Sequence, residues 1–240
     1  KMASLVGSRV ERKEDKRFLT GKGRYTADIN LANQTYAIFV RSPHARAKIK
    51  KLDISKASKA SGVVSILTGE EIATDKIGGL IAGWAIRSED GSEMKCPANP
   101  PLAKDKVNFV GDPIAIVIAE SLDEAKAAAE MVKVDYQVLK AVTSTEDAMK
   151  GDTIHEGIEK NLCYDWLLGD RQKVKEAFDK ADKVISIDII NNRLVPNAME
   201  PRACVSDYNS GSDEITLYTT SQNPHLSRLI MSAFGGVAPE

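Results

Sequence analysis

The sequence predicts an α+β fold organised as two domains, on three observations. Short apolar runs rich in β-branched and aromatic residues outnumber the helical segments, which is typical of sheets joined by few helices. The chain has 240 residues, enough for one large or two small domains. Residues 141–170 show little periodicity, and we place the domain boundary near residues 145–160.

The N-terminal part of the chain begins with a polar segment and continues with strands. Residues 7–34 are rich in turns and cations, which predicts a solvated arm on the surface of this chain or of another. Residues 74–104 carry repeated glycine and proline, which predicts a long loop that is functional or held by a partner. Between them the patterns predict strands over 36–40, 45–52 and 63–67 and a short helix over 54–61.

Residues 105–140 form the clearest unit. A strand over 107–110 and a turn precede a buried strand over 113–119, in which proline occupies only the first position. Ser121 and Glu124 then predict a capping box at the start of a helix. The apolar positions predict that this helix buries Leu122, Ala125, Ala128 or Ala129, and Val132. A strand over 134–139 would complete a strand–helix–strand crossover on one sheet.

The C-terminal part predicts a helix, three strands and a second helix. The first helix covers 171–182. The strands cover 183–191, 202–208 and 214–220, and a hairpin turn at 209–212 joins the last two. The second helix covers 226–234. Gln222 lies where the last strand meets this helix, a junction at which proteins commonly build a ligand contact.

The composition excludes several classes of function. The formal net charge is −1, which gives no sign of a nucleic-acid or anionic-membrane partner. No apolar run approaches the roughly 20 residues that span a bilayer. Three widely separated cysteines without CxxC spacing argue against a zinc or iron–sulfur site within the chain and favour the cytoplasm. Walker, nucleophile-elbow, zinc-protease and complete dinucleotide-binding motifs are absent from the sequence.

A few polar residues remain as candidates for a site. His44 and His225 each adjoin a proline and are interpreted as structural or surface residues, and with His155 they are too widely spaced to predict a metal site. Cys204 lies within a predicted strand, where a buried apolar role is favoured over a nucleophilic one. Glu200 is either a satisfied turn carboxylate, which we favour, or a buried carboxylate near a site.

Five segments, which occur in order and extend over nearly the whole chain, carry a resemblance to a known family. They are RKEDKRFLTGKGRY at 12–25, RSPHA at 41–45, FVGDPIA at 109–115, NAMEPRA at 197–203 and SQNPH at 221–225. Together they resemble the molybdenum-binding large subunit of the xanthine dehydrogenase and aldehyde oxidase family, and within it the large subunit of carbon monoxide dehydrogenases.

The resemblance implies a fold and an activity. Residues 1–145 are expected to form an arm and an a/b hammerhead domain, residues 146–160 a linker, and residues 161–240 the start of a molybdopterin-binding domain. Members of the family hydroxylate a carbon centre or oxidise carbon monoxide at molybdenum held by molybdopterin, in most bacterial members the cytosine dinucleotide form. Water supplies the oxygen, and electrons pass to iron–sulfur and flavin partner subunits or domains.

One site residue is carried over from the family. The glutamine of the family's strand-end motif matches Gln222, and in the family its amide donates a hydrogen bond to an oxo ligand of molybdenum. A neutral amide can do this without adding charge or displacing a ligand. The residues alone favour a different role for Gln222, an amide that caps the helix beginning near Pro224.

The family's later elements imply that this sequence is a fragment, arising from truncation, proteolysis or a split gene. Its glycine-rich loop, its active-site loop and its glutamate base would follow Glu240. We therefore expect no catalytic residue and no metal ligand here, and no molybdenum bound by the chain alone. Apolar surface left uncovered would favour a homo-oligomer. The alternative is a non-catalytic scaffold or assembly module built on a hammerhead domain.

Overall fold

The computed structural model describes residues 6–80 and 82–235, and it has the predicted mixture of helices and small sheets. The strands are β1 (Tyr36–Arg41), β2 (Ala47–Asp53), β3 (Val63–Thr68), β4 (Lys106–Val107), β5 (Pro113–Ala119), β6 (Lys133–Val138), β7 (Cys204–Asn209) and β8 (Glu214–Thr219). The α-helices are α1 (Asp15–Leu19), α2 (Gly69–Thr74), α3 (Leu122–Met131), α4 (Thr145–Ala148), α5 (Arg171–Asp179) and α6 (Pro224–Gly235). Short 3₁₀ turns occur at Thr26–Asp28, Ala57–Lys59 and Glu159–Asn161.

The chain divides into two compact units. One combines the residues up to Gln34 with Asn191–Pro224 and contains α1 and the β7–β8 hairpin. The other combines Thr35–Ile190 with the residues from His225 onward and contains two three-stranded sheets. None of the helices that the structure describes has the length and apolar character required to cross a membrane.

The first sheet of the larger unit has β5 at its centre. β1 and β3 flank β5, and both pair with it antiparallel, so that Val117 lies opposite Ile38 on one side and Ile66 on the other. Because both edges of β5 are paired, its backbone groups are satisfied while its apolar side chains are buried. Ala115 and Val117 pack against Ala128 of α3 in one core cluster. The predicted buried strand is therefore confirmed with its bounds.

The second sheet has the order β4-β2-β6, with β2 antiparallel to both neighbours. Its apolar side, with Ala47 and Val107 at the centre, packs with Ile114 of β5 in a second core cluster. The predicted crossover on one sheet is wrong, because α3 connects β5 of the first sheet to β6 of the second. The spacing of apolar residues and the length of the helix do not distinguish a crossover within one sheet from a connection between two sheets.

The start of α3 follows the sequence prediction in part. Ser121 Oγ accepts a hydrogen bond from the backbone N–H of Glu124, as a helix cap requires. The Glu124 carboxylate accepts from Ser121 Oγ and from Ser61 Oγ, so it anchors the helix to the loop before β3. Ala125 and Ala128 are buried as predicted, whereas Leu122 is exposed, so its predicted burial is wrong.

Two predicted strands differ from the structure. The strand expected over 107–110 ends at Val107, because the next N–H, of Asn108, donates to the Asp112 carboxylate at 2.9 Å and leaves the ladder. The strand expected over 183–191 does not form: these residues have no regular secondary structure and are exposed. An alternating pattern forms a strand only when a neighbouring strand accepts its hydrogen bonds, and none of the described strands pairs with this segment.

The short helix predicted over 54–61 is reduced to the 3₁₀ turn Ala57–Lys59, and the remaining predicted elements agree with the structure within a few residues. The β7–β8 hairpin turns after Asn209, and the last helix is α6. α5 begins at Arg171 as predicted but ends at Asp179, and Val174 and Phe178 on it are exposed. The predicted loop over 74–104, of which residue 81 lies outside the described residues, is pinned within the chain: Lys95 N–H donates to the Cys163 carbonyl at 2.9 Å.

We expect Val117→Ala to lower the free energy of unfolding by about 2 kcal/mol, because it removes two buried methyl groups and leaves a cavity. Val64→Ala on β3 is the matched control, since the Val64 side chain is 59% exposed. That change should cost no more than about 0.5 kcal/mol. Urea unfolding of both variants followed by circular dichroism measures the difference, and equal losses would contradict the placement of Val117 in the core.

Candidate functional site

Gln222 lies in the short connection between β8 and α6, as predicted. β8 ends at Thr219, and Ser221 Oγ accepts a hydrogen bond from the Asn223 N–H at 3.1 Å, which shapes the turn before Pro224. The Gln222 side chain is exposed. Its amide therefore presents uncharged N–H donors to an incoming group, which suits a contact to a ligand or cofactor oxygen.

Glu200 joins the N-terminal arm to the rest of the smaller unit. Its Oε1 accepts a hydrogen bond from the backbone N–H of Thr26 at 3.2 Å, and Thr26 is buried. This pairing supports the favoured interpretation of Glu200 as a satisfied carboxylate. It also limits the prediction of a solvated arm, because the arm is packed at Thr26 although most of its other residues are exposed.

The three histidines have different surroundings. His44 is half-buried, with its ring edge-on to Tyr136 at 4.9 Å, and its backbone N–H donates to Ser42 Oγ. His225 is exposed in the first turn of α6, and His155 lines a cleft. Over residues 6–80 and 82–235, no cluster of three or more His, Cys, Asp or Glu side chains is arranged to hold a metal ion.

The cysteines are free thiols. Cys163 is half-buried, and Cys96 is exposed. Cys204 is also exposed at the start of β7, so the predicted apolar burial of this residue is wrong. The β7–β8 ladder has two strands, and most of its side chains are exposed, so an apolar side chain within it is not necessarily covered.

Two cations attach the segment after β6 to the second sheet. The guanidinium of Arg46 donates from Nη1 to the Lys140 carbonyl at 3.1 Å and from Nη2 to the Thr153 carbonyl at 3.0 Å. Lys106 Nζ donates to the Ile154 carbonyl at 3.0 Å. Charged donors strengthen hydrogen bonds to carbonyls, so these contacts hold residues 140–154 against the strands.

Asn161 folds the same segment on itself. Its Nδ2 donates to the carbonyls of Ala148 and Asp152, at 2.8 and 3.0 Å, and its Oδ1 accepts from the Ile154 N–H at 2.8 Å. One amide thus satisfies three backbone groups of a segment whose regular structure is limited to α4 and a 3₁₀ turn. Side-chain hydrogen bonds of Asn161 thereby tie together residues 148–161.

A cleft of about 420 Å³ lies between this segment and the ends of β2 and β4. Its walls are mostly apolar and include Ala45, Val110, Ala141, Val142, Ile154 and Ile158. Its polar side chains are Arg46, Asn108, Thr143, His155 and Asn161. The volume lies within the range of small-molecule sites.

Two residues that line the cleft each have a buried polar atom that the fold leaves unpaired. Arg46 Nε and the Asn108 side-chain oxygen are buried and have no hydrogen-bond partner among the described residues. His155 is also perturbed: burial, and then the positive charges of Lys106 and Arg46, lower the pKa of His155 below 6.5. Arg46, Asn108 and His155 therefore line one mostly apolar cleft.

Sequence patterns missed the main residues of this cleft. Arg46 alternates with alanine and isoleucine in the same way as Lys48 and Lys50, so it resembled one more cation on the solvent side of a strand. The sequence pattern places Asn108 within a strand, whereas β4 ends at Val107. No local signal identifies Arg46, because the carbonyls that it binds lie 94 and 107 positions away in the sequence.

Comparison with protein families matches both parts of the chain. Residues 20–140 match the model described as "Aldehyde oxidase and xanthine dehydrogenase, a/b hammerhead domain". Residues 154–240 match the model described as "Molybdopterin cofactor-binding domain". The first match alone covers half of the chain.

Curated relatives include two bacterial large subunits. The chain is 34% identical to the nicotine 6-hydroxylase large subunit of Paenarthrobacter nicotinovorans, over 97% of this chain and 28% of the relative. It is 31% identical to the carbon monoxide dehydrogenase large chain of Afipia carboxidovorans, over 97% of this chain and 29% of the relative. The chain thus spans less than a third of the length of these relatives.

Solved structures with a similar fold include two oxidoreductases. Quinoline 2-oxidoreductase from Pseudomonas putida 86 matches with a TM-score of 0.81 and 28% identity, over 97% of this chain and 29% of that chain. The Cu,Mo-CO dehydrogenase matches with a TM-score of 0.82 and 30% identity, over 97% of this chain and 30% of that chain.

We expect His155→Gln to make the stability of the protein less dependent on pH. Because the folded pKa of His155 lies below the unfolded value, the unfolded state binds more protons, and stability falls as the pH drops below about 6.5. The variant lacks this loss. Free energies of unfolding measured by urea from about pH 7 to pH 5 test it, with the exposed His225→Gln as control. Equal slopes for wild type and both variants would contradict the prediction.

Proposed function

Because the chain belongs to the aldehyde oxidase and xanthine dehydrogenase family, we propose that it forms the hammerhead domain and part of the molybdopterin-binding domain of a molybdenum hydroxylase large subunit. The observation that carries the proposal is the succession of two family matches, hammerhead at 20–140 and molybdopterin-binding at 154–240. The complete enzyme oxidises carbon monoxide, an aldehyde or a nitrogen heterocycle and takes oxygen from water. The names of the relatives support carbon monoxide and nitrogen heterocycles as substrates, and the name of the family supports an aldehyde.

We divide the chain accordingly. Residues 1–145 form the arm and the hammerhead domain, 146–160 form the linker, and 161–240 belong to the molybdopterin-binding domain. The interval between the two matches, 141–153, supports a boundary in this part of the chain. The hydrogen bonds of Arg46 to the carbonyls of Lys140 and Thr153 give the linker a defined path along the hammerhead sheet.

Gln222 is the residue of this chain that we assign to the cofactor. Its exposed, uncharged amide would donate a hydrogen bond to an oxo ligand of molybdenum held by molybdopterin, without adding charge to the site. When bound, the cofactor, in its cytosine dinucleotide form, supplies the two-electron oxidation of the substrate carbon. We place the rest of the binding site in the parts of the large subunit that correspond to regions of the relatives not matched by this chain.

The proposed enzyme contains further subunits. Relatives of the chain are named as a large subunit, a large chain and the gamma subunit of a dehydrogenase complex, which supports a multi-chain assembly. Iron–sulfur and flavin subunits receive the electrons in our proposal, and the large subunits themselves associate. A cytoplasmic location accords with the three free thiols of this chain.

The proposal is tested by producing the chain together with the remainder of its large subunit and the partner subunits. Molybdenum is measured by mass spectrometry, and substrate-dependent reduction of a dye is measured with carbon monoxide, an aldehyde, nicotine and quinoline. We expect about one molybdenum per large subunit and reduction by at least one of these substrates. An assembly that contains neither molybdenum nor any such activity would rule out the proposed function.

We expect Gln222→Ala in that assembly to lower kcat/KM or molybdenum occupancy by about 10- to 100-fold, as loss of a supporting hydrogen bond to a metal centre does. Gln222→Glu should be as deficient, because it removes the donor and adds a negative charge. The matched control is Gln137→Ala, which removes an exposed amide from β6. Equal activity and metal content in the Gln222 and Gln137 variants would contradict the assigned role while leaving the proposed function intact.

A further inference from the structure

The N-terminal arm, residues 7–34, meets the rest of the smaller unit at a buried contact. Among the residues of the arm, Thr26 is the only one that is buried, with 8% of its surface exposed. Its backbone N–H donates to Glu200 Oε1 at 3.2 Å, across 174 positions of sequence, and Glu200 is half-buried. Because a charged acceptor strengthens such a hydrogen bond, this contact fixes the arm to the residues before β7.

On the arm side of the contact, local interactions hold the backbone. The Tyr25 N–H donates to Asp28 Oδ2 at 2.8 Å, and the Asp28 N–H donates to the Tyr25 carbonyl at 3.0 Å, which closes the 3₁₀ turn Thr26–Asp28. The ring of Tyr25 stacks on that of Phe18, with 6.1 Å between the ring centroids, so the turn is joined to α1. A preformed turn therefore presents the Thr26 N–H to Glu200.

The same 3₁₀ turn packs against β7 of the hairpin. Ala203 and Val205 are half-buried, whereas Cys204 and Ser206 are exposed. Residues two positions apart in a strand share a face, so the beginning of β7 is partly covered on one face and open on the other. Every side chain of β8 is exposed. Because a hairpin of two strands is at best marginally stable by itself, its order depends on this covered face.

The hairpin leads directly to Gln222. Thr219, the last residue of β8, lies opposite Cys204 in the ladder. The pairing continues for one more residue, because the Thr220 N–H donates to the Ala203 carbonyl at 3.4 Å. Gln222 follows two positions later, so loosening of the β7–β8 pairing would release the backbone that carries its amide.

A contact to a ligand of a metal needs its donor held to within about 0.5 Å, and the long side chain of glutamine has rotamer freedom of its own. We propose that Glu200 is a positioning residue for Gln222. By binding the Thr26 N–H it keeps the arm on β7, and the arm keeps the β7–β8 hairpin and the backbone of Gln222 in place. The role of Gln222 at the cofactor rests on the proposed function, whereas the coupling of the arm to the hairpin does not.

Hydrogen exchange of the ¹⁵N-labelled 240-residue chain, followed by NMR, tests this coupling. Glu200→Ala removes the acceptor and should speed exchange of the paired β7 and β8 amides about tenfold, while exchange in β5, which belongs to the larger unit, stays unchanged. Glu200→Gln keeps a side-chain oxygen as acceptor and should retain most of the protection. The matched control is Asp207→Ala, which removes an exposed carboxylate from β7.

The donor of the same hydrogen bond provides an independent variant. Thr26 is the first residue of the 3₁₀ turn and Tyr25 before it is extended, so proline fits at position 26 and removes the N–H. Thr26→Pro should speed exchange in β7 and β8 as Glu200→Ala does. The double variant should exchange no faster than either single variant, because the two residues contribute one shared interaction.

In the assembled enzyme, Glu200→Ala should lower kcat/KM or molybdenum occupancy about tenfold and should add nothing to the effect of Gln222→Ala. Unchanged exchange of β7 and β8 in Glu200→Ala would overturn the proposal, as would equal acceleration by Asp207→Ala or by Glu200→Gln. Additive losses from Glu200→Ala and Gln222→Ala would overturn it as well. A wild-type assembly without molybdenum or activity would instead rule out the proposed function, and the exchange rates would still decide whether the arm orders the hairpin.

Discussion

The burial of β5 on both of its faces is the constraint on which the larger unit depends. Ala115 and Val117 face α3, while Ile114 packs with Ala47 and Val107 of the second sheet. Pairing with β1 and β3 on both edges satisfies its backbone, which makes this burial possible without unpaired N–H groups. The helix, the two sheets and their connections are all arranged around this one strand.

The turn before β5 sets the polar edge of the cleft. Gly111 adopts a φ of +90° there, in the region that favours glycine, and its N–H donates to the Ser42 carbonyl at 2.8 Å. Asp112 accepts from the Asn108 N–H, which ends β4 and fixes the position of the Asn108 amide, while burial raises the pKa of the Asp112 carboxyl. The polar groups of the cleft are thus placed by strand ends, and rigid elements position a site more accurately than loops do.

In the smaller unit, local structure exposes the Gln222 side chain that we assign to the cofactor. The β7–β8 hairpin brings the chain to Ser221, whose hydroxyl shapes the turn, and Gln222 is left exposed next to the start of α6. Glu200 links the same unit to the arm through Thr26. In both contacts a side-chain oxygen accepts from a backbone N–H group that lies outside the strand ladders.

Local patterns by themselves determined β5, the β7–β8 hairpin, the cap of α3 and the position of Gln222, and five ordered motifs identified the family. The spacing of apolar residues and the capping of a helix depend on residues a few positions apart, so a single sequence is enough to detect them. Only the tertiary structure decided that β5 and β6 belong to different sheets, that 183–191 forms no strand, and that Cys204 is exposed. It also assembled the cleft, because Arg46 meets Thr153 across 107 positions. Such contacts depend on how distant elements pack, and no short stretch of sequence encodes them.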